Sequence, residues 1–456
     1  MTASRRLGNL PEARRAQARR LEPKYVDSPY HHGSHRALLH HDTRVGLDGA
    51  DVDAIVVPTI GAPETMVDAA NLARALGCWL VVFCSGQATA AEVVAALGRD
   101  AGSRMLAVDV PDIDEHPLLA FTTSSIHRSQ TGRRVDTGAK RNLGLLLARV
   151  VGWRRVLFLD DDVIVPDPSD ARRAAALLDR YDSVGLSIGG FPDNSVVCHA
   201  HRIGGGRQDC FVGGGALAVN VPKTFSFFPE IYNEDWFFLV DFFVLGRASR
   251  PVAVTGRAIQ RAYNPFAFPA RAEFEEFGDV LAEGLFWLLD QGRCIKDANE
   301  PFWNWYLDQR GLFIKDIARR IRIPDPDLDL DPAEREAILL ALEAAQARRE
   351  VIPAALCTEY LGAWGADRTR WRRKVLPALP REPDPAAAVR TLGFRPMTAN
   401  PRRQVVITLP QAGATPRPLA LAAGPHTGAR AVPRPLPVLL AHRGPVLPAA
   451  GVARLG

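Results

Sequence analysis

Cysteine is scarce in this chain, with six among 456 residues. Cys78, Cys84, Cys198, Cys210, Cys294 and Cys357 are scattered, and no two form a Cys-x-x-Cys pair. That spacing argues against a disulfide framework or a cysteine-rich zinc site and reads as reduced thiols of a cytoplasmic protein. Long apolar runs are missing as well. The longest, Trp236 to Gly246, is broken by Asp241 and is too short for a transmembrane segment. The Arg-rich start lacks the apolar run of a secretory signal. No DNA- or RNA-reading motif is present, so nucleic acid is not an expected partner. The remainder is an ordinary globular composition, 47% hydrophobic and 23% charged, on a chain long enough for two or more core-forming units.

The net charge of +5 hides an uneven distribution. Residues 1–24 carry 7 Lys/Arg against 2 acids, and residues 366–456 carry 15 against 3, which leaves the middle with 34 basic and 46 acidic residues. The body is acidic. The basic ends suit an acidic partner or a membrane surface. Five of the eleven histidines, His31, His32, His35, His40 and His41, cluster early, and their spacing favours a surface loop over a metal site.

The folded body is expected to start at Asp53. Ala54 to Ile60 is a short β-rich run, residues 63–76 have helical spacing with Gly77 as a stop, and Trp79 to Cys84 is a second strand. Ala88 to Leu97 then reads as a helix and Met105 to Val110 as a strand. This alternation predicts a parallel sheet with helices on its faces and ligands at the carboxyl ends of its strands. Thr59, Ser85, Asp109 and Asp160 fall at those ends.

Four stretches carry chemistry. Asp160-Asp161-Asp162 ends an apolar strand, where three acids call for a hard divalent cation or else form a solvated acidic turn. Lys140, Arg141 and Asn142 stand near a helix start, where two cations and an amide suit a diphosphate; a solvated helix start is the plainer alternative. Gly213, Gly214 and Gly215 precede a strand and suit close approach of a flat ligand or a simple turn. Glu234 and Asp235 sit among aromatic residues, where burial favours general-base work; read alone they are first-turn acids of a helix. His199 or His201 could reach the site, with a hydrogen-bonding loop histidine as the favoured reading. Farther on, residues 271–290 and 332–349 carry helical patterns, and from about Pro377 the chain becomes rich in Pro, Ala and Arg.

Taken together, the order of four features resembles the family 2 glycosyltransferases and their GT-A relatives over roughly residues 53–265. They are a strand ending in Pro58-Thr59, the segment Lys140-Arg141-Asn142-Leu143-Gly144, the strand ending in Asp160-Asp161-Asp162 with Pro166 beyond, and a Gly-rich strand followed by Glu234-Asp235-Trp236. The resemblance implies a GT-A-type α/β fold, a mostly parallel sheet flanked by helices, with a helical C-terminal extension and a disordered tail. The implied divisions are a basic arm (1–52), the glycosyltransferase domain (53–268), a helical subdomain (269–376) and the tail (377–456).

It also implies roles. Asp160 and Asp162 would hold Mn²⁺ or Mg²⁺ against the diphosphate of a UDP- or GDP-linked sugar, with Asp161 on the nucleotide. Pro58, Thr59, Lys140, Arg141 and Asn142 would border the nucleotide, and Gly213 to Gly215 the sugar and acceptor. Asp235 would be the general base, with Glu234 beside it. The implied activity is hexosyl transfer to an acceptor hydroxyl, inverting, and non-processive because no Gln-x-x-Arg-Trp follows Asp235. Two departures from the family pattern stand out: the second strand ends in Phe83-Cys84-Ser85 rather than an aspartate, and no histidine lies between His201 and His426. A sugar-nucleotide nucleotidyltransferase is the first alternative, disfavoured because Gly61-Ala62-Pro63-Glu64 has no cation. A non-catalytic nucleotide-binding module is the second.

Overall fold

In the strand Ala54–Thr59, Ala54 and Val56 face one helical layer while Ile55 and Val57 face the other. The same two-residue alternation runs through Trp79–Cys84 and Arg155–Leu159, as expected of strands buried on both sides. The computed structural model describes residues 34–35, 38–41 and 50–398, apart from 102–103, 112, 114–115, 192–194, 208–211, 245–251, 324–327 and 329. His31, His32, Cys210 and residues 399–456 therefore lie outside the described residues.

The strands are β1 (Leu39–His41), β2 (Ala54–Thr59), β3 (Trp79–Cys84), β4 (Met105–Asp109), β5 (Arg155–Leu159), β6 (Val163–Ile164), β7 (Ser183–Gly189), β8 (Ala216–Asn220), β9 (Val252–Gln260) and β10 (Pro396–Thr398). They form one sheet in the order β1-β9-β7-β8-β5-β2-β3-β4-β10, with β6 attached to β9. Pairing is parallel from β5 through β4 and between β7, β9 and β1. β8 runs against both its neighbours, and β10 against β4. This is the mostly parallel α/β sheet flanked by helices that the sequence predicts. Because β3 and β4 extend to one side of β2 while β5 lies on the other, the strand order reverses at the β2–β5 junction. Such a junction opens a crevice at the carboxyl ends of the strands.

One layer consists of helices Val67–Leu76, Ala90–Ala101 and Pro168–Leu177. The other contains Thr137–Val151 and Glu234–Val244, backed by the long helices Ala270–Asp290 and Glu300–Arg322 and by Ala354–Arg370. A smaller core joins Val196–Ile203, Glu300–Arg322 and Pro332–Glu350. The segment carrying His199 and His201 is thus a helix, capped by the Ser195 side chain on the Cys198 amide, rather than the expected loop.

Ordered structure extends beyond two expected divisions. β1 comes from the segment before residue 53 and extends the sheet beside β9. At the other end, helix Pro385–Thr391 buries Ala388 and Val389, and β10 pairs with β4, so the chain is folded past residue 377 as far as 398.

Candidate active site

Gly144 determines how closely helix Thr137–Val151 lies on the sheet. A Cβ there would stand 2.8 Å from Val56 Cγ1 and 3.1 Å from the Phe158 ring, so only glycine lets the helix settle over the β2–β5 junction. One turn earlier, Lys140 and Arg141 are thereby brought to the rim where those strands end. The Lys140 ammonium donates to the Thr59 carbonyl at 2.8 Å and to Ser85 Oγ at 2.8 Å, and lies 3.0 Å from Asp136 Oδ2. Its three donors have three acceptors. Burial lowers the Lys140 pKa, with Asp136 opposing the shift. Asn142 clamps the backbone of Phe228, donating to its carbonyl at 2.7 Å and accepting from its amide at 2.8 Å. Arg141 donates through Nη2 to Asp160 Oδ1 at 2.6 Å and through Nη1 to Glu234. All three side chains of the expected nucleotide segment are buried and turned onto other protein groups.

The acidic triplet stands at the carboxyl end of β5. Asp160 is anchored by its amide to the Gly215 carbonyl at 3.0 Å, and its side chain remains 34% exposed. Asp161 accepts from Thr59 Oγ1 at 2.6 Å, which ties the ends of β2 and β5 together across the crevice. Burial raises its pKa. Pro58 lies buried in β2 beyond the residues that pair with β5. Asp162 has less compensation: Gln260 Nε2 donates to its Oδ2 at 3.3 Å, and burial, reinforced by Asp160, pushes its pKa up to about 6.

Gly213, Gly214 and Gly215 lead into β8, which reaches the same rim from the opposite direction. A Cβ on Gly213 would lie 3.2 Å from Asp235 Oδ2, one on Gly214 2.7 Å from the Arg141 guanidinium, and one on Gly215 3.0 Å from Asp160 Oδ2. The close approach these glycines permit is to the site's own charged groups. The Gly214 amide donates to Asp235 Oδ2 at 2.5 Å.

Glu234 and Asp235 begin helix Glu234–Val244, where the helix dipole favours negative charge. Just before them, Asn233 has φ 64°, the one positive value for a non-glycine residue among the described residues. Its amide donates to Asp279 at 2.8 Å, and Asp279 in turn is bound by the buried Arg310 at 2.8 Å. Burial pushes the Glu234 pKa up to about 8 against the opposing charge of Arg141, and it raises that of Asp235. Asp235 is the less buried of the pair.

Arg141 thus joins Asp160 to Glu234, and the expected acids Asp160, Asp161, Asp162, Glu234 and Asp235 share one rim. His199 and His201 belong to another cluster. His199 packs against the Phe191 ring and lies 3.3 Å from the Tyr263 hydroxyl, while His201 contacts Arg320 at 3.0 Å and the Arg207 carbonyl. Sequence reasoning missed Gln260 and Arg261, which leave β9 directly beside Asp162; the Arg261 amide donates to the Asp162 carbonyl at 2.9 Å. Their only signal is position at a strand end.

No three His, Cys, Asp or Glu side chains cage a metal ion by themselves among the described residues. The chemistry of Asp160 and Asp162 nevertheless fits Mg²⁺ or Mn²⁺. Both supply hard oxygen donors, Asp162 is half-buried beside Asp160 with its carboxylate met by an amide rather than a cation, and Mg²⁺ is commonly held by one or two carboxylates plus substrate phosphates.

No family model matches the chain, and no curated protein matches it. Among solved structures it is similar to glucosyl-3-phosphoglycerate synthase of M. tuberculosis, at 15% identity and a TM-score of 0.33 over 56% of this chain and 88% of that one. It is also similar to a mannosyltransferase of Pyrobaculum calidifontis in complex with GDP-Man and Mn²⁺, at 13% identity and a TM-score of 0.37 over 68% of this chain and 91% of that one.

Proposed function

We propose that the chain is a glycosyltransferase that moves a sugar from a nucleotide-sugar donor to an acceptor hydroxyl. The observation that carries the reading is the convergence of Asp160, Asp162 and Asp235 at one rim, at the reversal point of a mostly parallel sheet. In this reading Asp160 and Asp162 hold Mn²⁺ or Mg²⁺. When bound, such an ion supplies positive charge that stabilises the departing nucleoside diphosphate. Asp161 and Thr59, hydrogen-bonded across the crevice, form its nucleotide-facing wall. Asp235 accepts the proton of the attacking hydroxyl, its carboxylate oriented by the amides of Gly214 and Trp236. Its raised pKa makes it a stronger base than an exposed aspartate. Glu234, paired with Arg141, positions its neighbour. Lys140 and Asn142 act from behind, one joining the ends of β2 and β3 and the other fixing Phe228. Attack from the face opposite the leaving group gives inversion.

The test is a thermal-shift panel of UDP- and GDP-linked sugars with and without Mn²⁺. A metal-dependent rise in melting temperature with one base is expected, and no stabilisation by any donor under either condition sinks the reading. With the preferred donor, Asp235→Asn should bind as wild type does but lose sugar release about 100-fold or more; undiminished turnover would rule Asp235 out as base.

A further inference from the structure

Three cations are bonded into the rim, and they differ in what they can still do. Lys140 and Arg141 are buried: the Lys140 ammonium is taken up by Thr59, Ser85 and Asp136, and both terminal nitrogens of Arg141 are held by Asp160 and Glu234. Arg261 is 38% exposed. Its amide is fixed to the Asp162 carbonyl, so its side chain starts beside the proposed metal clamp. From there the guanidinium extends over the loop after β2, donating to the Thr65 carbonyl at 2.9 Å and to Asp68 Oδ2 at 2.6 Å. That loop borders Asp161. A Cβ on Gly61 would stand 3.3 Å from Asp161 Oδ2 and 4.0 Å from Thr65 Oγ1.

We propose that Arg261 binds the donor's diphosphate, and that Asp68 holds it at rest as a competing anion. The inference rests on the nucleotide-sugar reading and goes further, naming a phosphate-binding residue and a latch. Five carboxylates line a rim with two buried cations, and a divalent ion on Asp160 and Asp162 would offset only part of that excess, so a diphosphate arriving there needs a further positive group. A guanidinium matches phosphate in a bidentate fork. The resting pair is open to solvent on both sides, with Asp68 39% exposed, and exposed pairs are readily exchanged.

Titration calorimetry with UDP and with GDP, in Mn²⁺ at fixed ionic strength, tests this on the full chain. Arg261→Gln should bind the preferred nucleotide about 10- to 100-fold more weakly. Asp68→Asn should bind it about 2- to 5-fold more tightly, because the competitor has gone. The double variant should match Arg261→Gln. Binding by Arg261→Gln within twofold of wild type overturns the assignment while leaving the donor reading intact. If Arg261→Gln does not fold, Asp68→Asn decides alone: tightening supports the latch, and unchanged or weaker binding overturns it. Failure of the wild type to bind either nucleotide overturns the donor reading, and Arg261 falls with it.

Discussion

Asp162 carries an electrostatic cost that its hydrogen bond from Gln260 offsets only in part. Its folded pKa, about 6, lies above its usual 3.8, so the folded state binds the proton more tightly than the unfolded state does. By linkage, ionising Asp162 destabilises the fold, an effect absent at low pH and fully present above pH 6. Asp162→Asn should therefore raise the melting temperature of the metal-free protein at pH 7.5 while removing the increment given by Mn²⁺ with a nucleoside diphosphate. A variant that keeps the Mn²⁺ increment would exclude Asp162 as a ligand. At this scale much was legible in the sequence. Three acids after Leu159 and two before Trp236 announce themselves by type and placement. Direction stayed hidden: Lys140, Arg141 and Asn142 read as ligand-facing, yet all three turn inward. Gln260 and Arg261 offered only a place at a strand end, because β6 brings β9 beside Asp162 by a pairing that local sequence does not encode.

Helices Ala270–Asp290 and Glu300–Arg322 meet around a fully buried ion cluster. Arg310 bonds Glu276, Asp279 and Glu283, and Cys198 Sγ lies 3.6 Å from Glu283. Three acids face one cation, and burial pushes Glu276 up to about 7 and Glu283 up to about 8, with Arg310 opposing. Because these folded values exceed the usual 4.5, the folded state holds extra protons between about pH 5 and 8. Stability from this cluster falls as pH rises through that window. Glu283→Gln keeps the shape and removes one charge. It should stabilise the protein by about 1 kcal/mol at pH 8 and by little at pH 5, as measured by denaturant unfolding at the two values. A larger gain at pH 5 would refute the argument. The same cluster sits within the apolar stripe of helix Glu300–Arg322, where Arg310 stands between Tyr306 and Leu307 on one side and Phe313 and Ile314 on the other. Through Asp279 and Asn233 it also fixes the backbone from which Glu234 and Asp235 project.

At the scale of the whole molecule, both ends of the described chain return to the sheet. β1 completes the β9 side and β10 the β4 side, while helix Pro385–Thr391 seals the layer over helix Thr137–Val151. Composition hid this last piece, since 385–398 shares the Pro, Ala and Arg bias of residues 399–456, and its fold depends on contacts with residues about 290 positions earlier. A chain ending at residue 398 keeps helix Pro385–Thr391 and β10. One ending at 380 loses the buried Ala388, Val389 and Leu392 and should melt about 5 °C or more lower in a calorimetric scan. Equal melting of the two would mean that the helix and β10 contribute nothing.

β10 also has a consequence for solubility. Three residues shield the outer backbone of β4, whose sequence Met-Leu-Ala-Val-Asp is mostly buried, apolar up to its last residue and free of proline. Uncovered, that edge offers unpaired amides and carbonyls as a template for a second molecule. A protein trimmed back to 380 would fail first by aggregating edge to edge, and so short a strand would serve the chain chiefly by keeping its copies apart.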